Sequence, residues 1–548
     1  MLTAEGIEAR RRLIAGSDDL TALRDRLVVR AGPVLAQMPV VPRVKALLSR
    51  DGGVCPDDQT PLIFDPWQPE QHRCPRCGRT FSGQRHHAHW ARAQHLWIAE
   101  RAAHLATIHA MTGDEAAANR ARDLLGAYYD LYHQLPNSDN VLGPSHLFFS
   151  TYLESIWALD YFAAAFLLRE CNALGEDELG RIDAIAEEAA TIIGEFNEGM
   201  SNRQTWNSAA LTALALWFGD EELAVSAIEG RTGLLGHLAD GFGSDGMWFE
   251  GENYHLFAMR GLLVGMSWAA IGGAEAFDDA VARKHLGEAL MAPADTSLPD
   301  FTFPARKDSR YGVSLAHPAY LECWEAGYAI LGDERPDVAA WLRALYAIPA
   351  REEATYDAWL HDAGETSPEH RARSDLSWWA LLTMGPALPH TAEPWSGRTR
   401  LLEQQGLAVI RDGSRYVSLE CGGSATGHGH PDRLHLTLHA DGVHWLPDPG
   451  TGSYVSRDLF WYRSTLAHNA PAIDGRDQAA ENDARCAAFA TGDGWSWVAG
   501  EWGDVIRVVV AGPSWIADLI QFDARESHRF DVPWHLAGAI EGEPAGTW

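Results

Sequence analysis

Hydrophobic and polar positions fall into three regimes along the chain. Residues 1–50 hold two amphipathic stretches, with Leu20, Leu23 and Leu27 spaced as one face of a helix. Residues 51–90 lose that period. Pro, Gly, Cys and His replace it, and the stretch reads as an irregular insert. From about 92 to 385 the pattern predicts helix after helix. AQHLWIAERAAHLATIHAMTG stops at Gly113. DEAAANRARDLLGAYYDLYHQL, HLFFSTYLESIWALDYFAAAFLLREC, DELGRIDAIAEEAATIIGEF, TWNSAALTALALWFG, DEELAVSAIEGRTGLLGHLADGF and YHLFAMRGLLVGMSWAAIGG follow. Many of these end in Gly and restart after Asp or Ser, the usual stop and start chemistry. Segments of like length with short connectors pair into a bundle, a solenoid or an α/α toroid, and periodicity alone does not choose among them.

Near residue 400 the pattern changes. LAVIRDGSRYVSLECGG, LHLTLHADGVHWLPD, AAFATGDGWSWVAGEW and VIRVVVAGPSWIADLIQF are short, alternating and rich in β-branched and aromatic residues, with DG and GD pairs as turns. They predict an antiparallel β domain, most simply a sandwich. The last residues, EGEPAGTW, carry no strand pattern, so this domain is expected to continue in a longer natural chain.

The length of 548 residues implies two or three domains. A formal net charge of −31 argues against nucleic acid and anionic membranes as partners, while still allowing an anionic ligand in a pocket lined by arginines. The same field opposes a long polyanion and favours short substrates. The 22 tryptophans and 14 tyrosines supply core mass or line a sugar cleft. No run of roughly 18 apolar residues predicts a membrane span. MLTAEGIEARRRLIAGSDDL lacks the apolar core of a signal peptide. The seven cysteines are scattered and odd in number, unlike a disulfide scaffold. These features together predict a cytoplasmic protein, with the cell envelope or periplasm as the alternative.

Five constellations carry candidate chemistry. In SNRQTWNSAAL, Asn202 and Arg203 lie just ahead of a helix for which Thr205 is a candidate N-cap. An amide and a guanidinium at a helix mouth suit a carboxylate; a capping turn with a solvated arginine explains them equally. In DGMWFEGENYHLFAMRG, a Gly-rich turn leads into a helix opening near Asn253, Tyr254 and His255. Tyr254 is a proton shuttle or a core residue, and Glu250 a second acid or a helix-start charge. In GHGHPDRLHLTLHADGVHWLPDPGTGSY, His428 and His430 share one side of an extended segment, Asp448 follows a strand, and His468 lies in YRSTLAHNA. Two imidazoles and a carboxylate make a zinc shell with an open position. His435, His439 and His444 read as structural or exposed. In FPARKDSRYG, Arg306, Lys307, Arg310 and Tyr311 crowd a loop that would bind a carboxylate or sulfate, or else tie salt bridges. In CPDDQTPLIFDPWQPEQHRCPRCG, residues 55–78, Cys74 and Cys77 form a zinc-knuckle half. Cys55, with Asp58 or His72, would complete a structural zinc, the alternative being a turn with reduced thiols.

Taken together, NRQTWN, EGENYH, GHGHPD, LPDPGTGSY and YRSTLAHN behind paired helices resemble the heparinase II/III-like polysaccharide lyases, nearest the oligoalginate-type exolyases. The resemblance runs from about residue 90 onward and is most specific from HGH to AHN. It implies an α+β multidomain fold: an N-terminal helical segment with the Cys insert (1–90), an incomplete (α/α) toroid (91–390) and an antiparallel β-sandwich (395–548). It also implies β-elimination at a uronic acid in the cleft between toroid and sheets. Carried over by motif, Asn202 would neutralise the substrate carboxylate and Tyr254 would be the acid. His428 would flank the site as base or carboxylate contact, and Arg203 would assist. His255, Arg306, Arg310, Tyr311 and Glu250 would contact substrate. His430, Asp448 and His468 would hold a structural Zn²⁺; ahead of the resemblance, the spacing of Cys55, Cys74 and Cys77 leaves a second zinc site as an expectation. The partner would be an anionic oligo- or polysaccharide, and a homodimer is expected.

One departure from the pattern stands out. Many relatives carry Asn-His where this chain has Asn202-Arg203, and a guanidinium with a pKa above about 12 is a poor base. Tyr254 would then serve both proton transfers, or His428 or His255 would be the base. The competing readings are a toroid glycoside hydrolase using Asp245 and Glu250, a zinc hydrolase, and an inactive oligouronide-binding protein.

Overall fold

In the computed structural model, the described residues are 3–49, 51–349, 371–423, 428–452, 454, 457–480 and 483–538. The helical half is an arc of inner helices, each packed on the next. Gln84–Thr112 packs on Thr151–Glu170, which packs on Asn202–Phe218, then Glu252–Ile271, Pro318–Leu331 and the short Trp378–Thr383. Helix Asp18–Arg30 touches both Trp378–Thr383 and Gln84–Thr112, and so bridges the two ends of the arc. Glu115–Gly126, Glu176–Gly194, Glu221–Glu229, Ala280–Thr296 and Pro336–Ala347 back the inner helices from outside.

Inner and outer helices differ in sequence for a plain reason. The inner ones are covered on nearly every side, so Thr151–Glu170 is apolar around its whole circumference, whereas the outer Glu176–Gly194 buries only one stripe. Stops follow local chemistry. Gly113 and Gly219 end their helices in the left-handed region, at φ of 77° and 68°. Trp157, Trp248, Trp324 and Trp341 are fully buried, so much of the tryptophan content is core mass. Helix Gln84–Thr112 starts inside the stretch read as irregular, because Gly83, at φ +113°, ends the insert there.

The β half is two antiparallel sheets. Five strands run as a meander in sequence order: Arg400–Leu402, Leu407–Asp412, Arg415–Glu420, Leu436–Ala440 and Val443–Leu446. Four more, Arg485–Gly492, Trp495–Trp502, Val505–Ala511 and Ile516–Phe522, make the second sheet. Asp441–Gly442 and Asp493–Gly494 take positive φ at both positions, the hairpin geometry their sequence calls for. Val417, Leu419 and Leu436 pack against Val498, Val505 and Val509 to form the sandwich core.

Polar and apolar contacts weld the two halves. Leu298 joins Leu402, Leu407, Val409 and Tyr416 in a small cluster. Asp245 Oδ2 accepts from the amides of Gln404 and Gln405 at 2.6 and 3.0 Å. Gly450 packs on the loop 303–312: its φ is +68°, and a Cβ there would lie 2.2 Å from the Ser309 carbonyl oxygen. Gly450→Ala is expected to cost about 1–3 kcal/mol through backbone strain and overpacking, seen as a lowered urea midpoint. An unchanged midpoint would show that this contact does not hold the seam.

Candidate active site

Three segments meet where the inner helices open onto the five-stranded sheet. The first is the start of helix Asn202–Phe218. Its N-cap is Ser201, whose hydroxyl accepts from the Gln204 amide at 3.1 Å. Asn202 and Arg203 therefore sit in the first turn itself. Thr205, the expected cap, is one turn too far along and donates to the Asn202 carbonyl at 2.7 Å. The second segment is the turn into helix Glu252–Ile271, made possible by Gly251 at φ +94°. The third is the loop 303–312, with the stretch from His428 lying against it; the Asp308 amide donates to the His428 carbonyl at 3.1 Å.

These segments bring a phenol and an imidazole face to face. The rings of Tyr254 and His428 stack with centroids 4.1 Å apart and planes at 24°. Tyr254 Oη lies 2.7 Å from Tyr454 Oη. Glu250 ties the wall together: its Oε2 accepts from Asn202 Nδ2 and from Trp248 Nε1, both at 2.7 Å, and its Oε1 faces His428 Nε2 at 3.5 Å. Arg203 Nε donates to Glu198. The cleft is lined on its polar side by Asn202, Arg203, Arg260, His317 and His428, and on its apolar side by Trp206 and Phe257.

Behind His428 sits Asp308, fully buried. Its carboxylate receives His428 Nδ1 at 2.7 Å, His430 Nε2 at 3.0 Å and Arg463 Nε at 3.1 Å. Burial alone would raise this carboxyl, but the hydrogen bonds from His428, His430 and Arg463 outweigh it and hold it well below the ordinary carboxylate range. An ionised Asp308 accepts a hydrogen bond from His428 Nδ1–H. That fixes the tautomer and leaves Nε2 as the nitrogen that can take a proton.

Several expected substrate contacts lie elsewhere. His255 is buried behind the wall and accepts the Trp248 amide at 3.0 Å on Nδ1. Burial pushes its imidazole down to about 3, so it is a neutral structural group and not a base. Arg306 is 1% exposed and locked between Glu252 and Glu420, out of reach of any ligand. Arg310 does not border the cleft, and Tyr311 is a surface residue stacked on His444 at 5.6 Å. Glu250 borders the site but acts on Asn202, Trp248 and His428. Asp245 is consumed by backbone amides, which removes it from a hydrolase acid–base pair.

The metal cluster differs from the expected one by a histidine. His435, Asp448 and His468 each offer one ligand atom within 4.8 Å of the others, and all are buried. His435 Nε2 and His468 Nδ1 lie 3.6 and 3.5 Å from the Asp448 oxygens. His468 Nδ1 and Asp448 Oδ2 have no hydrogen-bond partner, the arrangement a cation would satisfy. His430, the histidine expected there, lies beside these three with its Nε2 on Asp308. Its ring lies 5.2 Å from that of His468, with Nδ1 unpartnered. The cluster is sealed from solvent, so a metal there would brace the β half and not meet substrate. At the other end of the chain, Cys55, Asp58, Cys74 and Cys77 also converge, while His72 turns away toward His86, His87 and Trp90.

Three functional candidates escaped the sequence reading: Asp308, Tyr454 and Arg463. Each stands inside a motif already singled out. Asp308 is the one acid in FPARKDSRYG, Tyr454 ends LPDPGTGSY, and Arg463 sits in YRSTLAHN. A lone acid amid cations was the available signal for Asp308.

Fold and cleft together define a class: an arc of paired helices closed by an antiparallel β domain, with the site in the seam. That fold is shared with a crystal structure of heparinase III (TM-score 0.57, 14% identity, 82% of this chain and 65% of that one). A heparan sulfate lyase from Pedobacter heparinus has it too (TM-score 0.55, 16% identity, 97% and 79%). Residues 396–511 match the family described as "Heparinase II/III-like, C-terminal". Among curated proteins, the chain is 23% identical over 485 residues to an alginate lyase of Stenotrophomonas maltophilia and 23% identical over 398 residues to an exo-oligoalginate lyase of Saccharophagus degradans. These alignments cover 79% and 66% of this chain, which spans only 61% and 50% of the relatives' lengths. The match places residues 396–511 in the heparinase II/III-like C-terminal domain family.

Proposed function

We propose that the chain is a carbon–oxygen lyase that cleaves uronic-acid oligosaccharides by β-elimination. The observation that carries this reading is the stacked pair Tyr254 and His428, one from the helical half and one from the sheet half, beside the amide of Asn202.

The chemistry sets the roles. The C5 proton of a uronate is weakly acidic, so the adjacent carboxylate must be neutralised. Asn202, with Arg203 and Arg260, supplies donors for that. His428 Nε2, oriented by Asp308, takes the C5 proton. The C–H electron pair becomes the C4–C5 double bond, the C4–O bond breaks, and Tyr254 protonates the leaving oxygen. Tyr454, in hydrogen-bond contact with Tyr254, returns a proton to it from solvent. Arg203 does not have to act as a base in this scheme. The two curated relatives, an alginate lyase and an exo-oligoalginate lyase, favour alginate-type oligomers as the first substrates to try, and the net charge of −31 favours short ones. A metal held by His435, Asp448 and His468 is proposed as structural.

The test is absorbance. Turnover of alginate, heparan or hyaluronan oligomers is expected to produce the near-ultraviolet band of a carboxylate-conjugated double bond. New reducing ends without that band would mean hydrolysis, and binding without turnover would mean an inactive sugar-binding protein. Asn202→Ala is expected to lower kcat/KM by about 10²-fold, the usual loss of one donor to a developing oxyanion. Equal activity would remove Asn202 from the carboxylate site.

A further inference from the structure

Residues 51–83 contain a second arrangement that the elimination chemistry does not use. We infer that Cys55, Asp58, Cys74 and Cys77 form a Cys₃Asp zinc ribbon that staples this segment to the inner helix Gln84–Thr112.

An internal repeat lies half concealed in the sequence. CPRCG at 74–78 is a knuckle, and CPDDQ at 55–59 is the same knuckle with Asp for the second Cys and Gln for Gly. The backbones repeat in detail. The Gly78 amide donates to the Cys74 carbonyl at 3.0 Å, and the Gln59 amide to the Cys55 carbonyl at 2.9 Å. The Cys74 amide donates to the Arg79 carbonyl at 2.9 Å, and the Cys55 amide to the Thr60 carbonyl at 2.8 Å. Gly78 has φ +72° and Gln59 has φ +60°. A glutamine in the left-handed region is costly by itself, and it is explained if the fold of the knuckle is required of both halves. The Cys77 amide points at Cys74 Sγ at 3.4 Å, the amide–sulfur contact that stabilises a thiolate.

Distances then choose among the uses of three thiols. Cys55 Sγ and Cys77 Sγ are 3.8 Å apart, far beyond a disulfide bond of about 2.05 Å. They match the edge of a tetrahedron with Zn–S bonds of about 2.3 Å, which is about 3.8 Å. Cys74 Sγ lies 3.6 and 3.7 Å from the two oxygens of Asp58, near the mixed S/O edge of the same solid. Spacing agrees as well: two residues separate the ligands within each half, and 15 residues lie between the halves, inside the zinc-ribbon pattern. Three thiolates and a carboxylate around Zn²⁺ carry a net −2. Arg79, which pairs with Asp57 beside the site, opposes that charge.

The ribbon has something to hold. His86 Nδ1 bonds the Gly52 carbonyl at 2.6 Å, Gln94 Nε2 donates to the Pro66 carbonyl at 3.0 Å, and Trp67 packs edge-on against Trp97 at 5.5 Å. The metal thereby fixes the entry to the first inner helix. Cys55, Cys74 and Leu62 share a small cluster with Trp90 and Ala93 of that helix.

Cobalt substitution of the full chain distinguishes this site from the β-domain cluster, which has no thiol. Thiolate-to-cobalt charge-transfer absorption is expected in the full chain. It should fall by at least about a third in Cys77→Ser, persist in His468→Ala, and strengthen in Asp58→Cys, which completes a four-cysteine site. Zinc content should drop by one equivalent per chain in Asp58→Ala. Hydrogen exchange at 51–83 should rise in that variant while the amides of Thr151–Glu170 stay protected. Absence of the charge-transfer band in the folded, cobalt-loaded chain, or a zinc content unchanged by Asp58→Ala and Cys77→Ser together, would overturn the assignment.

Discussion

Tyr254→Phe is expected to lower kcat by about 10²–10⁴-fold, the range for losing a positioned proton donor, with KM little changed. The ring is what packs: it stacks on His428 and is 9% exposed, so phenylalanine keeps the stack and the fold. The substitution removes the hydroxyl and with it the 2.7 Å contact with Tyr454. Single-turnover absorbance on a saturating oligouronide, with binding measured separately by calorimetry, separates the two effects. Retained binding with lost turnover is the signature of the acid. If turnover survives within a few-fold, another group protonates the leaving oxygen and the scheme fails at its centre. Tyr454→Phe is the control, because a relay residue should cost less than the donor it serves.

The second large effect is on stability. Arg306→Ala is expected to destabilise the chain by about 3–5 kcal/mol, the usual result of stripping one partner from a buried ion pair. Arg306 is fully buried, with Nη1 3.0 Å from Glu252 Oε1 and Nη2 3.1 Å from Glu420 Oε2. Without it, two carboxylates face each other across the seam between helix Glu252–Ile271 and strand Arg415–Glu420. Changing all three together, to Met at 306 and Gln at 252 and 420, should recover much of the loss, because the charges leave together. Urea melts of the single and triple variants test this. A single variant that costs less than about 1 kcal/mol would mean that water reaches the triad and the seam is not closed there. The two predictions are linked: through Arg306 of the 303–312 loop, the triad holds the helix that presents Tyr254 against strand Arg415–Glu420.

How much of the site was legible can be argued residue by residue. Asn202, Arg203, Tyr254 and His428 all border the cleft: the first three stand in the first turn of a helix, and His428 stands in the stretch between strands Arg415–Glu420 and Leu436–Ala440. His255 and Arg306 failed for one shared reason. Their chemistry suits a ligand, but burial assigned them other partners, and neighbours in sequence carry no information about burial. The metal set gained a histidine that spacing did not single out. His435 converges with Asp448 and His468, while His430 keeps its Nε2 on Asp308, 122 positions away, and its ring 5.2 Å from that of His468.

By itself the sequence determined the helical and sheet regimes, their turns and caps, and the motifs in which the reactive groups reside. Those follow from periodicity and backbone preference, which act over a few residues. Tertiary structure alone decided which reactive groups meet, which are sealed away, and which carboxylate orients which imidazole. Tyr254 and Tyr454 touch across 200 positions, and His428 and Asp308 across 120. Such contacts arise from how the arc of helices closes on the sheets, where burial changes what a charge can do and to what it can bind.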